Sequence, residues 1–289
     1  MSQEASNTPL PIWQIAFRPF FLAGTVFITL GFILWALLLS NSLPDSLGQY
    51  QPYGGWFVWH SHEMIFGFVQ AIAIGFLLTA SRNWTGQPGI SSNMLKAIVL
   101  FWLSARIAWL FSSTPTVILM LLDMAAPLLA TLGLAKTLSM GEKKHGKGSQ
   151  KYNWPFVALL SAFTAIQMVF HLLLTSQPEN ITYLMQVAVL MMAAMTLWVA
   201  GRVLPFFTRA RLQSPGKDLP KGLLEISMGS SWLVIPFYLA AQLTDNTVLN
   251  IITAILALCT AVSQSYRLAI FYRPGVSKEP MLWSLYLAF

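Results

Sequence analysis

Charged residues are scarce in this sequence. Only 9% of its 289 residues are Asp, Glu, Lys or Arg, whereas 56% are apolar. Soluble globular domains carry about 25% charged residues, so this composition excludes a water-soluble domain with an ordinary solvated surface. The sequence instead predicts an all-α, polytopic membrane helix bundle with a single transmembrane domain over residues 1–289.

Cysteine is nearly absent, since Cys259 is the only one in the chain. A single thiol excludes an internal disulfide, a CxxC redox pair, a four-cysteine zinc or iron–sulfur site and covalent CxxCH haem attachment. Any bound metal must therefore be held by histidine, methionine or carboxylate side chains.

Long apolar runs fill most of the remaining sequence. A helix needs ~20 apolar residues to cross a hydrocarbon core of ~30 Å. Eight runs meet this requirement, and they lie near 18–40, 57–80, 95–111, 115–138, 154–175, 181–200, 223–243 and 247–270. A ninth apolar stretch at 281–289 reaches only about 13 Å as a helix, so we expect eight full transmembrane helices and a truncated ninth.

Basic residues outnumber acidic ones, 17 to 10, and their distribution explains the excess. With the eight predicted helices, every Lys and Arg except Arg106 falls on one side of the membrane. The positive-inside rule makes that side cytoplasmic, places the N-terminus inside and turns the loops at 41–56, 112–115, 176–180 and 244–247 outward. The charge therefore indicates a lipid bilayer as partner and gives no reason to expect nucleic acid.

Three histidines share one predicted depth. His60 and His62 open the second helix at its outer end, and His171 lies near the outer end of the fifth. Neutral imidazole binds haem iron, copper and zinc, so this shared depth predicts an intramembrane metal site. His60 and Glu63 are i,i+3 neighbours, which predicts that His60 points into the bundle with Glu63 orienting it, whereas His62 points about 200° away. The alternative is that these are interfacial residues with ordinary hydrogen-bond partners.

Two further charges lie within predicted helices. Arg106 is on the third helix and Asp123 on the fourth, and these helices are joined by a short loop. An isolated charge in hydrocarbon is costly, so we expect the two to form an ion pair. The pair is either purely architectural or a support for the propionate of a haem.

Four motifs together resemble one family. They are IAFRPFFLAG (15–24), WHSHEMIFGF (59–68), GFLLTASRNWTG (75–86) and GRVLPFFTRARL (201–212). In this order they are similar to the NnrS family of haem- and copper-containing bacterial inner-membrane proteins associated with nitric oxide metabolism and tolerance. Arg106, Asp123 and His171 also match family positions. Members have about twelve helices, with further histidines in the last third, so the resemblance implies that those later ligands are missing here.

The resemblance also carries a role for Arg202, Thr208 and Arg209 in the last motif. Their chemistry alone indicates arginines that extend to anionic lipid head groups, beside a proline, Pro205, that ends the sixth helix.

The sequence thus predicts a haem- and copper-binding membrane protein with metal ligands His60, His62 and His171, supported by Glu63, Arg106 and Asp123. Nitric oxide is small, neutral and lipid-soluble, so it would reach such a site without an aqueous channel. Whether the protein catalyses a reaction is left open. Two other classes fit the sequence: a transporter of a metal or small anion, with the histidines as a relay, and a non-catalytic scaffold or assembly factor.

Overall fold

The computed structural model describes residues 10–44 and 49–289, and within them every regular element is helical. Nine helices follow one another along the described chain, joined by loops and short 3₁₀ turns. They are α1 (Phe17–Leu39), α2 (Trp56–Thr85), α3 (Ser92–Trp109), α4 (Thr116–His145), α5 (Trp154–Ser176), α6 (Ile181–Leu212), α7 (Leu223–Thr244), α8 (Thr247–Phe271) and α9 (Pro280–Ala288).

Seven of these helices are long and apolar enough to cross a membrane. The prediction of an all-α polytopic bundle is confirmed, but the count of eight full spans differs by one. Of the eight predicted spans, the one outside these seven is α3, because it has only 18 residues and carries Lys96 and Arg106, which lower its hydropathy. The nine-residue α9 is short, as the sequence predicted.

Three helices extend clearly further than predicted. The second, expected to end near residue 80, continues to Thr85. The fourth, expected to end near residue 138, continues to His145. The sixth was expected to end at Pro205 but continues through it to Leu212. A proline inside a helix removes one backbone hydrogen bond, here the one to the carbonyl of Gly201, and a long helix with tertiary packing tolerates that loss.

The chain divides into two compact units, Met1–Ile181 and Thr182–Phe289. In the first unit α2 is central: 61% of its most apolar window is buried, against 11% for α1. Small residues allow the neighbours of α2 to approach. A Cβ at Gly75 would lie 2.8 Å from Phe20 on α1, and one at Gly141 on α4 would lie 2.6 Å from Thr85 on α2.

The second unit contains the antiparallel pair α7 and α8, joined by a tight turn in which the Asn246 side chain accepts hydrogen bonds from the first backbone amides of α8. Helix α6 contacts α7 where Tyr238 donates to Gln186, and it contacts α8 where Gly201 lies against Arg267.

Candidate metal centre

Helix α2 changes its winding where the histidines lie. It is α-helical over Trp56–His62, π-helical over Glu63–Val69 and α-helical again from Gln70. A π segment inserts an extra residue per turn and is frequent at functional sites. Here it contains Gly67, where a Cβ would lie only 2.7 Å from both the Arg106 guanidinium and the Glu63 carboxylate. Gly67 therefore lets α2 approach α3 closely enough for these two charges to meet.

Three possible metal ligands converge beside this segment. His62 on α2, Asp123 on α4 and His171 on α5 form a group whose donor atoms all lie within 4.8 Å of one another. Nε2 of His62 lies 2.9 Å from Oδ2 of Asp123, and Nε2 of His171 lies 3.0 Å from the same oxygen. The three residues are 0 to 2% exposed, so this group is fully enclosed by protein.

Two other charges complete the cluster. Arg106 on α3 pairs with Asp123, as the sequence predicted, and its Nη1 also lies 2.9 and 3.0 Å from the two carboxylate oxygens of Glu63. Glu63 in turn lies 3.0 Å from Nδ1 of His62. Two carboxylates thus face one guanidinium, and a net negative charge remains unless a histidine is protonated or a cation is bound.

Aromatic rings enclose the group. The ring of Trp109 stacks on that of His62 at 4.1 Å, and its indole N–H points to Asp123 at 3.4 Å. Phe66 and Phe170 place their ring centroids 5.1 and 5.0 Å from the His62 ring. These rings keep water out, so electrostatic interactions inside the cluster are stronger than at a surface.

One donor atom has an unusual contact. Nε2 of His62 is within 3.0 Å of Asp123, yet it forms no hydrogen bond of acceptable geometry within the described chain. Buried polar atoms are almost always satisfied, and an exception calls for a missing ligand, water or ion. A ligand shared by His62 and Asp123 would satisfy this atom.

A pair of glutamines that was not predicted from the sequence extends the polar cluster. Gln167 on α5 donates to the backbone carbonyl of Asp123 at 3.3 Å and accepts from Gln70 on α2 at 3.1 Å. Both amides are buried. Gln167 lies four residues before His171 in an apolar helix, and this i,i+4 spacing is a signal that could have identified it.

The predicted orientation of the two neighbouring histidines is wrong. His62, not His60, points into the bundle and contacts Glu63, while His60 is partly exposed and stacks on Trp35 of α1 at 4.1 Å. The i,i+3 spacing gives the angular positions of residues relative to one another around a helix. It does not tell which face of that helix the other helices cover. Here α3, α4 and α5 cover the His62 side, and α1 covers the His60 side.

The residues predicted from the last motif lie in the second unit. Arg202 is half-buried on α6, Thr208 is buried and donates to the carbonyl of Leu204, and Arg209 is exposed. Thr208 also lies 3.2 Å from the hydroxyl of Tyr286 on α9. None of these three is among the metal-ligand candidates of the described chain.

Comparison with known proteins gives one result. No curated protein and no solved structure matches the chain. The family model described as NnrS protein matches residues 11–289, which is nearly the whole sequence. The chain therefore belongs to the NnrS family.

Proposed function

We propose that this protein binds one transition-metal ion at His62, Asp123 and His171 and acts in nitric oxide metabolism or tolerance. The observation that carries the metal site is the convergence of two imidazole nitrogens on one buried carboxylate oxygen, at 2.9 and 3.0 Å. The link to nitric oxide rests on the family resemblance.

The donor set suits a transition metal. Two histidines and one carboxylate form the ligand set of many iron and zinc sites, and imidazole also suits copper, the metal that the resemblance implies. Donors arranged tetrahedrally at ~2.0 Å from a metal lie about 3.3 Å apart. The observed separations from Asp123 are a few tenths of an ångström shorter, so small side-chain movements would admit an ion.

The surroundings favour a cation. Glu63 and Asp123 carry two negative charges and Arg106 one positive charge, so a bound cation would balance the enclosed group. Glu63, next to Nδ1 of His62, would accept the second N–H of that ligand and hold Nε2 toward the metal. Such an outer carboxylate commonly orients a metal-bound histidine.

A porphyrin does not fit between His62 and His171. Their ring centroids are 5.9 Å apart, and Trp109, Phe66 and Phe170 occupy the space around His62. The predicted haem would thus need ligands other than this pair. A single ion with three protein ligands keeps coordination positions open for a small ligand such as nitric oxide.

The proposed location is the inner membrane, with the N-terminus and the basic loops in the cytoplasm. The distribution of Lys and Arg supports this orientation with α3 counted as a span, which its 18 residues, about 27 Å as a helix, allow. Reporter fusions at Lys147 and Lys217 should then behave as cytoplasmic, and a fusion at Glu179 as external. The opposite signals would reverse the orientation without affecting the metal proposal.

The metal site is tested on the full chain purified in detergent. After incubation with copper, iron or zinc and removal of excess metal, we expect about one ion per chain. For the copper- and iron-loaded protein we also expect a change in the metal spectrum on adding nitric oxide. His62→Ala, His171→Ala and Asp123→Asn should each reduce metal content severalfold or more. His145→Ala is the matched control, since this histidine hydrogen-bonds the backbone carbonyl of Thr85 and lies outside the ligand group.

Full metal content in folded His62→Ala and His171→Ala would refute the site. The cluster would then be an architectural polar network, as in the scaffold alternative. Metal binding without any response to nitric oxide would instead favour the transporter of a metal.

A further inference from the structure

A cavity of about 360 Å³ lies within the second unit, formed by α6, the end of α8 and the segment 214–219. Ligand pockets typically measure ~300–1,000 Å³, so this cavity is large enough for a small ligand or a head group. Its lining includes three cationic side chains, those of Arg209, Lys217 and Arg273, and one carboxylate, that of Asp218.

The three cations of this cavity outnumber its one carboxylate, and none of them forms an ion pair within the described residues. No carboxylate lies within 4.0 Å of their nitrogens among residues 10–44 and 49–289, and the ion pair nearest in sequence joins Arg211 to Glu279 instead. Arg273 donates from Nη1 to the backbone carbonyls of Ile270 and Tyr272, both at 2.8 Å, and from Nη2 to that of Pro215 at 3.4 Å. Arg209 uses Nε on the carbonyl of Pro205, which leaves its terminal nitrogens for another acceptor.

A fourth cation lies beneath the lining. Arg267 is 2% exposed, and its guanidinium contacts two lining residues: it lies against the backbone of Gly201 and 5.7 Å from the ring of Phe271. Its side-chain acceptor is the amide of Gln264 at 2.7 Å, and its Nε has no partner within the described residues. Buried charges are normally paired, so Arg267 indicates a missing counter-charge.

We propose that this cavity binds a phosphate group, supplied by an anionic lipid head group or by a soluble phosphate compound. Arginine forks match phosphate oxygens, and Arg267 adds positive potential from a region of low dielectric. The walls are the ends of the apolar helices Ile181–Leu212 and Thr247–Phe271, which is where basic pockets recognise lipid head groups. Binding of phosphate here does not depend on the metal centre, since no metal-ligand candidate lines this cavity.

Two probes distinguish the sources of the phosphate. Dioleoylphosphatidylglycerol is added to the full chain in neutral detergent, with occupancy read by native mass spectrometry and dioleoylphosphatidylcholine as the neutral lipid control. Inorganic phosphate is titrated calorimetrically into the delipidated protein. Binding of the anionic lipid alone identifies a head-group site, and binding of inorganic phosphate identifies a site for soluble phosphate.

Variants of the lining residues test whether the lipid or phosphate binds in this cavity. Arg209→Gln and Lys217→Gln should each weaken binding about tenfold, since a hydrogen bond to a charged group is lost, while Arg209→Lys should retain part of it. Arg211→Gln is the matched control, because Arg211 is exposed, pairs with Glu279 and does not line the cavity. The proposal is overturned if neither probe binds, or if Arg211→Gln weakens binding as much as Arg209→Gln.

Discussion

The two units of the chain each bury an arginine, and the two arginines differ in whether a carboxylate pairs with them. Arg106 in the first unit is 5% exposed and faces the carboxylates of Glu63 and Asp123. Arg267 in the second is 2% exposed and faces an amide and an aromatic ring, with no carboxylate within 4.0 Å in the described chain. A guanidinium cannot readily lose its proton, so each site needs negative charge. The first site has more negative charge than Arg106 neutralises, and in the second no carboxylate of the described chain pairs with Arg267.

This difference gives the two sites opposite chemistry. Excess negative charge, together with two imidazoles, makes the first a candidate for a cation. Excess positive charge beside an open cavity makes the second a candidate for an anion. Replacing each arginine by glutamine tests the comparison directly. The change at Arg106 leaves two buried carboxylates without a counter-charge, whereas the change at Arg267 leaves none.

The largest effect is expected for Arg106→Gln. Glu63 and Asp123 would remain buried without their guanidinium, and breaking a buried ion pair from one side costs ~3–5 kcal/mol. We expect a large fall in membrane yield and in the thermal stability of the detergent-solubilised protein. Arg211→Gln should change stability by less than ~1 kcal/mol, because its pair with Glu279 is largely exposed.

A double-mutant cycle sharpens this prediction. Asp123→Asn in the Arg106→Gln background should recover part of the loss, since one of the two unpaired charges disappears. Adding Glu63→Gln should recover more, because the structure gives Arg106 two partners where the sequence predicted one. Additive losses across the series would show that these charges do not act as a network.

A smaller effect is expected for Arg267→Gln. The change removes one charged hydrogen bond, to Gln264, but leaves no carboxylate unpaired, so the loss should be about 1.5–3 kcal/mol at most. Thermal unfolding with and without dioleoylphosphatidylglycerol measures it. If the cavity holds a phosphate, the lipid should stabilise the parent protein more than the variant. If Arg267→Gln lowered stability as much as Arg106→Gln does, the two buried arginines would not differ in the way proposed here.

Much of the fold could be predicted from the sequence. Apolar runs of ~20 residues locate membrane helices because the bilayer sets their length. The pairing of Arg106 with Asp123 was also predictable, since adjacent helices joined by a short loop must carry both charges at a similar depth. The extension of α6 through Pro205 was not, because the cost of one missing hydrogen bond is decided by tertiary packing.

The site was predicted less completely. Residue type and depth selected His60, His62 and His171 as metal ligands and Asp123 as the partner of Arg106. They did not indicate that His62 and His171 converge on an oxygen of Asp123 while His60 lies elsewhere. The missing information was which face of α2 the other helices cover. Single-sequence periodicity gives relative angles along a helix, and it gives no absolute rotation toward neighbours that lie far away in the chain.

The smallest effect is expected for His60→Ala, and it tests that rotation. The structure places His60 against Trp35, with the rings 4.1 Å apart and 9° from parallel, and outside the group of His62, Asp123 and His171. The variant should lose only a stacking contact, worth ~0.5–1.5 kcal/mol, and keep its metal. His62→Ala, two residues away on the same helix, is the matched comparison and should lose the metal. Metal analysis and thermal unfolding of both variants measure these outcomes. If His60→Ala empties the site while His62→Ala retains the ion, the rotation inferred from sequence is right, and the donor group at Asp123 is not the metal site.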